Sequence, residues 1–189
     1  MKTPHDRNFT ILEGLALVAA TAVGFTLVRY HGMRLNPTFL RSQFSIPVTV
    51  LMLADDSVRY YVAPVLACWT VTYFALCASV RRSMRRRDLR APGFVALFAA
   101  TLALSLGVGC RLIYRLTGIT TGMLSPQVVV DLQRGASHAV VISWATLWLV
   151  GLWRPVPTLR DRLGRAIGAT WIACEILTQA RIFVEYAIR

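Results

Sequence analysis

The sequence predicts an all-α protein, a polytopic bundle of helices that cross a membrane. Of its 189 residues, 56% are hydrophobic and only 16% are charged, and the mean hydropathy is +0.54. Apolar runs of about 18 residues or more recur along the chain, and each can cross a hydrocarbon layer of roughly 30 Å. This composition excludes a soluble globular domain and a disordered chain.

We predict a single transmembrane domain with five spans and no separate soluble domain. The spans are residues 9–28, 60–80, 93–113, 136–153 and 163–188. The fifth is the weakest, because it holds charged and amide residues and could instead lie on the membrane surface. Pro92 suits the first turn of the third helix, and Pro126 suits the start of a helix that continues into the fourth span. Pro155 and Pro157 should end that fourth helix after Trp153.

The segment between the first two spans, Ile46 to Ala54, is too short to cross a bilayer. We expect an interfacial or re-entrant segment folded onto the outer surface of the bundle. Asp55 or Asp56 would then cap the second helix at its N-terminus.

The positive charge of the chain predicts its orientation. The formal net charge is +12, and 20 of the 21 basic residues are arginine. They cluster in short connections, as the positive-inside rule expects, so we predict no nucleic-acid partner. Residues 81–90 carry six arginines against Asp88, and residues 154–165 carry four against Asp161. Both connections should be cytoplasmic, with the N-terminus inside and the C-terminus outside a cell membrane, here expected to be a bacterial inner membrane.

Glu175 is the main candidate for an intramembrane polar site, because it falls near the middle of the fifth span. At helical spacing, Trp171, Glu175, Thr178 and Gln179 share a face with Gly164 and Gly168. That face should turn inward, and the two glycines should allow close helix approach. Glu175 would either bind a proton or cation or be a structural carboxyl that is hydrogen-bonded to another helix.

Arginines near the outer ends of two spans are candidate contacts for an anion or a lipid headgroup. Arg111 and Arg115 share a face of the third span, and Arg181 lies in the outer half of the fifth. Alternatively, such side chains reach the headgroups or pair with a carboxylate, and Glu185 is one turn from Arg181. Glu13 is expected to be a first-turn acid of the first helix.

The sequence carries no catalytic motif of the membrane enzymes that we tested, so we predict no catalytic residue, metal site or cofactor. A haem between His31 and His138 is geometrically conceivable, but neither histidine lies well inside a span. Four cysteines lie in apolar runs without a C-x-x-C motif and are expected to be buried structural residues: Cys68, Cys77, Cys110 and Cys174.

Three functions compete at this point. Stripes of small residues in two spans favour helix association, and the first hypothesis is therefore an accessory or scaffold subunit of a membrane assembly, with membrane lipids and other subunits or further copies as partners. These stripes are Ala16, Ala20, Gly24 and Ala99, Ala103, Gly107. The second is a small oligomeric transporter or channel that uses Glu175. The third is a lipid-modifying enzyme in which Asp55 and Asp56 imitate a magnesium-binding pair.

Overall fold

A computed structural model describes residues 11–30, 46–79, 91–118, 126–156 and 158–188. Within these ranges the chain is helical and forms no strand, which confirms the predicted all-α class. Its helices are α1 (Ile11–Tyr30), α2 (Ile46–Ser57), α3 (Ala63–Ser79), α4 (Pro92–Leu116), α5 (Pro126–Leu149) and α6 (Leu159–Ile188). In the described part of the chain, three helical stretches are long and apolar enough to cross a membrane: Val48–Ala78, Pro92–Leu116 and Leu159–Val184.

Residues 46–57 depart most from the sequence prediction. They form an α-helix that continues directly into the second span through the π-helical segment Val58–Val62. The wide turn closes through a hydrogen bond from the Ala63 N–H to the Val58 carbonyl. Such a turn does not interrupt the helix, but it rotates the residues that follow it relative to those that precede it. The expected surface segment is therefore wrong, and Asp55 and Asp56 lie within a long helix and cap none.

Two helix ends follow local backbone chemistry. Ala91 has extended backbone angles, and Pro92 opens α4 at a position where a missing N–H costs nothing. The helix α5 ends at Leu149, four residues before the predicted limit. Gly151, with a φ of 69°, adopts the left-handed conformation that commonly follows a helix C-terminus. This glycine stops the helix before the prolines are reached.

Consecutive long helices run in alternating directions. Near the starts of α1 and α6, Glu13 pairs with Arg160, and near the starts of α4 and α6, Asp161 accepts a hydrogen bond from the Gly93 N–H. The same end of the bundle holds the last turns of α3, where the Tyr73 hydroxyl reaches the Arg160 carbonyl at 3.5 Å. At the opposite end, α2 contacts α6 and α4 contacts α5 through ion pairs.

Glycines bring the central helices into close contact. A Cβ atom at Gly164 would lie 2.6 Å from the carbonyl oxygen of Gly93, so α4 and α6 touch backbone to backbone there. At Gly168 a Cβ would lie 2.8 Å from the Trp144 ring, and at Gly24 it would lie 2.7 Å from the Cα of Val65. The close approach predicted for Gly164 and Gly168 is confirmed. The core is formed by α3, α4, α5 and α6 around the fully buried Trp171.

Candidate functional site

Asp55 is the centre of a buried ionic cluster at one end of the bundle. Its carboxylate is fully buried and lies 2.7 Å from the Arg59 guanidinium and 2.9 Å from that of Arg181. Thr178 donates a hydrogen bond of 2.8 Å to Asp55 Oδ1, and Arg181 also lies 2.6 Å from Asp56. Two carboxylates and two guanidiniums therefore balance in charge and tie α2 to α6. We call this group the Asp55 cluster.

Gln133 of α5 extends the Asp55 cluster into the core. Its Nε2 donates to Thr178 Oγ1 at 3.2 Å and to the Cys174 carbonyl at 3.4 Å. Because Thr178 gives its own proton to Asp55, its oxygen must accept from Gln133, and this fixes the orientation of the amide. Gln133 is 1% exposed, and its Oε1 has no hydrogen-bond partner among the described residues. The acceptor Gln133 Oε1 is thus left without a donor among the described residues, in the interior of the bundle next to the Asp55 cluster.

Asp161 holds the opposite end of the bundle together. Its carboxylate accepts from the N–H groups of Gly93 at 2.8 Å and Val156 at 3.2 Å, and it lies 3.0 Å from the Arg165 guanidinium. Nearby, Glu13 is buried and lies 2.5 Å from Arg160. Glu13 is thus a first-turn acid that also forms an ion pair between α1 and α6. Sequence reasoning missed Asp161, although Thr158 three residues earlier is a helix-start signal.

The two ionic groups are separated by about the thickness of a membrane. Asp161 and Arg181 are 20 residues apart on α6, and at a rise of 1.5 Å per residue this distance is about 30 Å. Between residues 166 and 180 of that helix, Glu175 is the only Asp, Glu, Lys, Arg or His residue. It lies about 21 Å from the level of Asp161 and about 9 Å from that of Arg181.

Glu175 lies at the contact between α5 and α6. It is 7% exposed, its Oε1 accepts a 2.5 Å hydrogen bond from Gln179, and the His138 Nε2 lies 3.9 Å from that same oxygen. Its Oε2 is buried without a hydrogen-bond partner among the described residues. Trp171 and Thr178, which share its helix face, have other partners: Trp171 donates to Thr70 at 3.0 Å, and Thr178 belongs to the Asp55 cluster.

The surface beside Glu175 is polar although it faces away from the bundle. The His138 side chain is 60% exposed, and Gln179 is exposed as well. Gly135, one turn from His138, is also exposed, and a Cβ atom there would meet no other atom within 4 Å. We call the surface formed by Gly135, His138, Glu175 and Gln179 the polar face.

The remaining predicted site residues have separate positions. Arg111 pairs with Asp131 of α5, and Arg115 is exposed in the last turn of α4. Arg181 binds Asp55 and Asp56, because α2 brings two carboxylates beside it, and the side chain of Glu185, the partner expected from the sequence, lies outside what the structure describes. His31 lies outside the described residues, and of the two histidines considered for a haem only His138 is described.

The four cysteines differ in how deeply they are buried. All four are free, but only Cys77 and Cys174 are buried, while Cys68 is half-buried and Cys110 is exposed. The expectation of four buried thiols is therefore wrong for Cys110, which lies one residue before Arg111 near the end of α4. In the described part of the chain, no three metal-ligating side chains converge.

An apolar cavity of about 1000 Å³ opens between α1 and α4, with α3 at its base. Its lining includes residues 16 to 28 of α1, a length of about 18 Å along the helix axis. The lining contains no charged side chain, and Gln133 and Trp171 lie at its deep end. Val23 and Val108, on the two sides of the opening, are exposed at the surface of the bundle.

Comparisons with known proteins place this chain in no family. Protein-family models, curated proteins and solved structures contain no match to it.

Proposed function

We propose that this chain is an interaction subunit of a membrane assembly, and that its polar face packs against a transmembrane helix of another subunit. The observation that supports this most directly is the exposure of His138, whose Nε2 lies 3.9 Å from the Glu175 carboxylate and so at its depth. No water is present in the hydrocarbon layer to bind such groups, so polar side chains there normally face other helices. A partner helix over the polar face would satisfy them.

The geometry of the polar face suggests what the partner helix is like. Open space at Gly135 allows another backbone to come close, as small residues do where helices associate in lipid. The free Oε2 of Glu175 calls for a hydrogen-bond donor from the partner. We therefore expect a partner helix with a small residue opposite Gly135 and a polar donor about one turn away, at the level of His138 and Glu175.

The proposal includes five crossings of a cell membrane, which we take to be a bacterial inner membrane. Alternating helix directions and the separation of about 30 Å between Asp161 and Arg181 support it. The arginine-rich residues 81–90 connect α3 to α4 at the Asp161 end, so that end is cytoplasmic.

The interaction is tested by closing the space at Gly135. Gly135→Leu adds a bulky side chain to the polar face without a clash inside the chain, so we expect a folded protein that loses its partner. Ala75→Leu is the control, because Ala75 is exposed on α3, away from the polar face. The tagged protein is purified from native membranes in mild detergent, and the partner subunits that co-purify with it in fixed stoichiometry are measured. A second copy with a different tag is expressed as well, so that association between copies of this chain is also detected. A wild-type protein that migrates alone, or an unaffected Gly135→Leu complex, contradicts the proposal.

A transporter remains a second candidate because of one observation, the unpartnered Oε2 of Glu175 beside His138. The substitution Glu175→Gln distinguishes the two functions. An amide preserves most hydrogen bonding, so an interaction subunit should keep its partner, with a loss of at most about 2 kcal/mol. A transporter should assemble but lose pH- or ion-driven flux in liposomes, since an amide cannot titrate. The third hypothesis, a magnesium-dependent lipid enzyme, is not favoured because Arg181 binds both Asp55 and Asp56.

A further inference from the structure

We infer that the apolar cavity binds one hydrocarbon chain of a neutral membrane lipid, and that a hydroxyl group of this lipid donates a hydrogen bond to Gln133 Oε1. The lipid class is a long-chain or polyprenyl alcohol, taken from the bilayer leaflet at the Asp55 end. This site is separate from the polar face on α5 and α6.

The shape and lining of the cavity favour a single chain. Its lining on α1 extends for about 18 Å, and its volume of about 1000 Å³ lies between helices at membrane depth. The opening between α1 and α4 meets the hydrocarbon layer directly, where Val23 and Val108 are exposed. An apolar cavity with an apolar opening takes up hydrocarbon from the bilayer rather than water.

Gln133 determines the polar end of the lipid. Its Nε2 is held by Thr178 and Cys174, so the amide cannot turn over without losing both hydrogen bonds. Oε1 therefore remains an acceptor, and it selects a donor such as a hydroxyl group. A buried acceptor without a partner costs free energy that a ligand donor would recover.

The charge distribution favours an uncharged headgroup. The cavity lining has no charged residue. A phosphate next to Gln133 Oε1 would therefore have no cation in the lining to compensate it. A neutral alcohol has no such cost.

The depth of Gln133 in the membrane is consistent with a lipid whose hydroxyl group lies near one surface and whose chain extends into the cavity. Gln133 contacts Thr178, which lies three residues before Arg181 on α6, or about 4.5 Å along the axis. The hydroxyl group would therefore lie just below the Asp55 cluster, with the chain extending toward Ala16 and Thr72 in the other half of the bundle.

Photolabelling in vesicles tests the inference. The full chain is reconstituted in phosphatidylcholine vesicles that contain a trace of a hexadecanol bearing a diazirine in its chain, and in matched vesicles with the methyl ether of the same probe. We expect the alcohol to label peptides of α1, α3 or α4 that line the cavity. The ether, which has no donor, should label them about tenfold less, equivalent to about 1.4 kcal/mol.

Substitutions at Gly109 and Gln133 locate the site. Gly109 lines the cavity, and a Cβ atom there meets nothing within 4 Å, so Gly109→Leu should fill the cavity without unfolding the helix and should abolish labelling. Ala173→Leu is the control, since it adds a leucine side chain at an exposed position of α6 outside the cavity lining and the polar face, and it should leave labelling unchanged. Gln133→Glu, which keeps an acceptor oxygen, should retain more labelling than Gln133→Leu.

Each alternative result overturns the inference in a defined way. Equal labelling by the alcohol and the ether would show that no hydroxyl is recognised. Labelling that persists in Gly109→Leu, or that maps outside the cavity, would show that the probe lies elsewhere. An unlabelled wild-type protein would show that another segment of the chain or a charged lipid fills the cavity. None of these results depends on whether the polar face binds a partner.

Discussion

Asp55 links two helices through a single carboxylate, which contacts three residues. It is fully buried and binds Arg59, Arg181 and Thr178. Removing one member of a buried ionic group leaves the others without compensation, which is more damaging than the net contribution of the group suggests.

We predict that Asp55→Asn lowers the free energy of unfolding by about 3 to 5 kcal/mol, because Arg59 then loses its carboxylate partner and Arg181 keeps only the ion pair with Asp56. Asp56→Asn is the matched control. Its carboxylate is 21% exposed and, among the described residues, forms an ion pair only with Arg181, so the loss should be smaller. The measurement is unfolding in mixed micelles as the denaturing detergent is raised. Equal losses in the two variants would contradict a central role for Asp55.

At the residue level, the sequence predicted which side chains face inward better than it predicted what they contact. Helical periodicity placed Trp171, Glu175, Thr178 and Gln179 on one inward face, and the first three are buried. For Gln179 the prediction is wrong, because its side chain is exposed. The partner of Arg181 could not be found in this way, since Asp55 lies 126 positions away in the sequence. The periodicity of one helix carries no information about which residues of another helix will face it.

Among the helices, α6 makes the widest set of contacts, and its glycines set the distance to its neighbours. The pair Gly164 and Gly168 was recognisable from its spacing of four residues. Its partner Gly93 was not, because a single glycine after a proline resembles an ordinary helix start. The helical segment Ile46–Ser57 was missed because length alone was used to judge it, and a π turn that joins it to α3 leaves no clear sequence signal.

We predict that Gly164→Ala destabilises the bundle by roughly 1 to 3 kcal/mol, because the new methyl group would meet the Gly93 backbone, which cannot move aside like a flexible side chain. Gly135→Ala provides the comparison. It makes the same change in a helix where the Cβ has free space, so it should be neutral or should stabilise by up to about 1 kcal/mol. The measurement compares the stability of the two variants with that of the wild type by unfolding in denaturing detergent. Equal effects would mean that α4 and α6 are not in close contact.

For the whole molecule, the ionic groups form two layers with apolar helix between them. Glu13 and Asp161 mark one layer, and Asp55, Asp131 and Arg181 mark the other. The lengths of the apolar runs and the arginine distribution were enough to predict helices that cross a membrane. The carboxylates that hold the layers together could not be predicted, since each binds residues that are distant in the sequence.

The orientation of these layers gives the last prediction. Residue 86 lies in the connection with six arginines at the Asp161 end, whereas Thr117 is exposed at the C-terminal end of α4, beyond Arg111. In a background with Cys110→Ser, we therefore expect a membrane-impermeant thiol reagent to label Thr117→Cys in intact cells. It should label Arg86→Cys only after the membrane is opened. The other native thiols, Cys68, Cys77 and Cys174, are half-buried or buried and provide the unlabelled baseline. The reverse labelling pattern would show that the bundle has the opposite orientation. Labelling of both sites in intact cells would show that α4 does not cross the membrane.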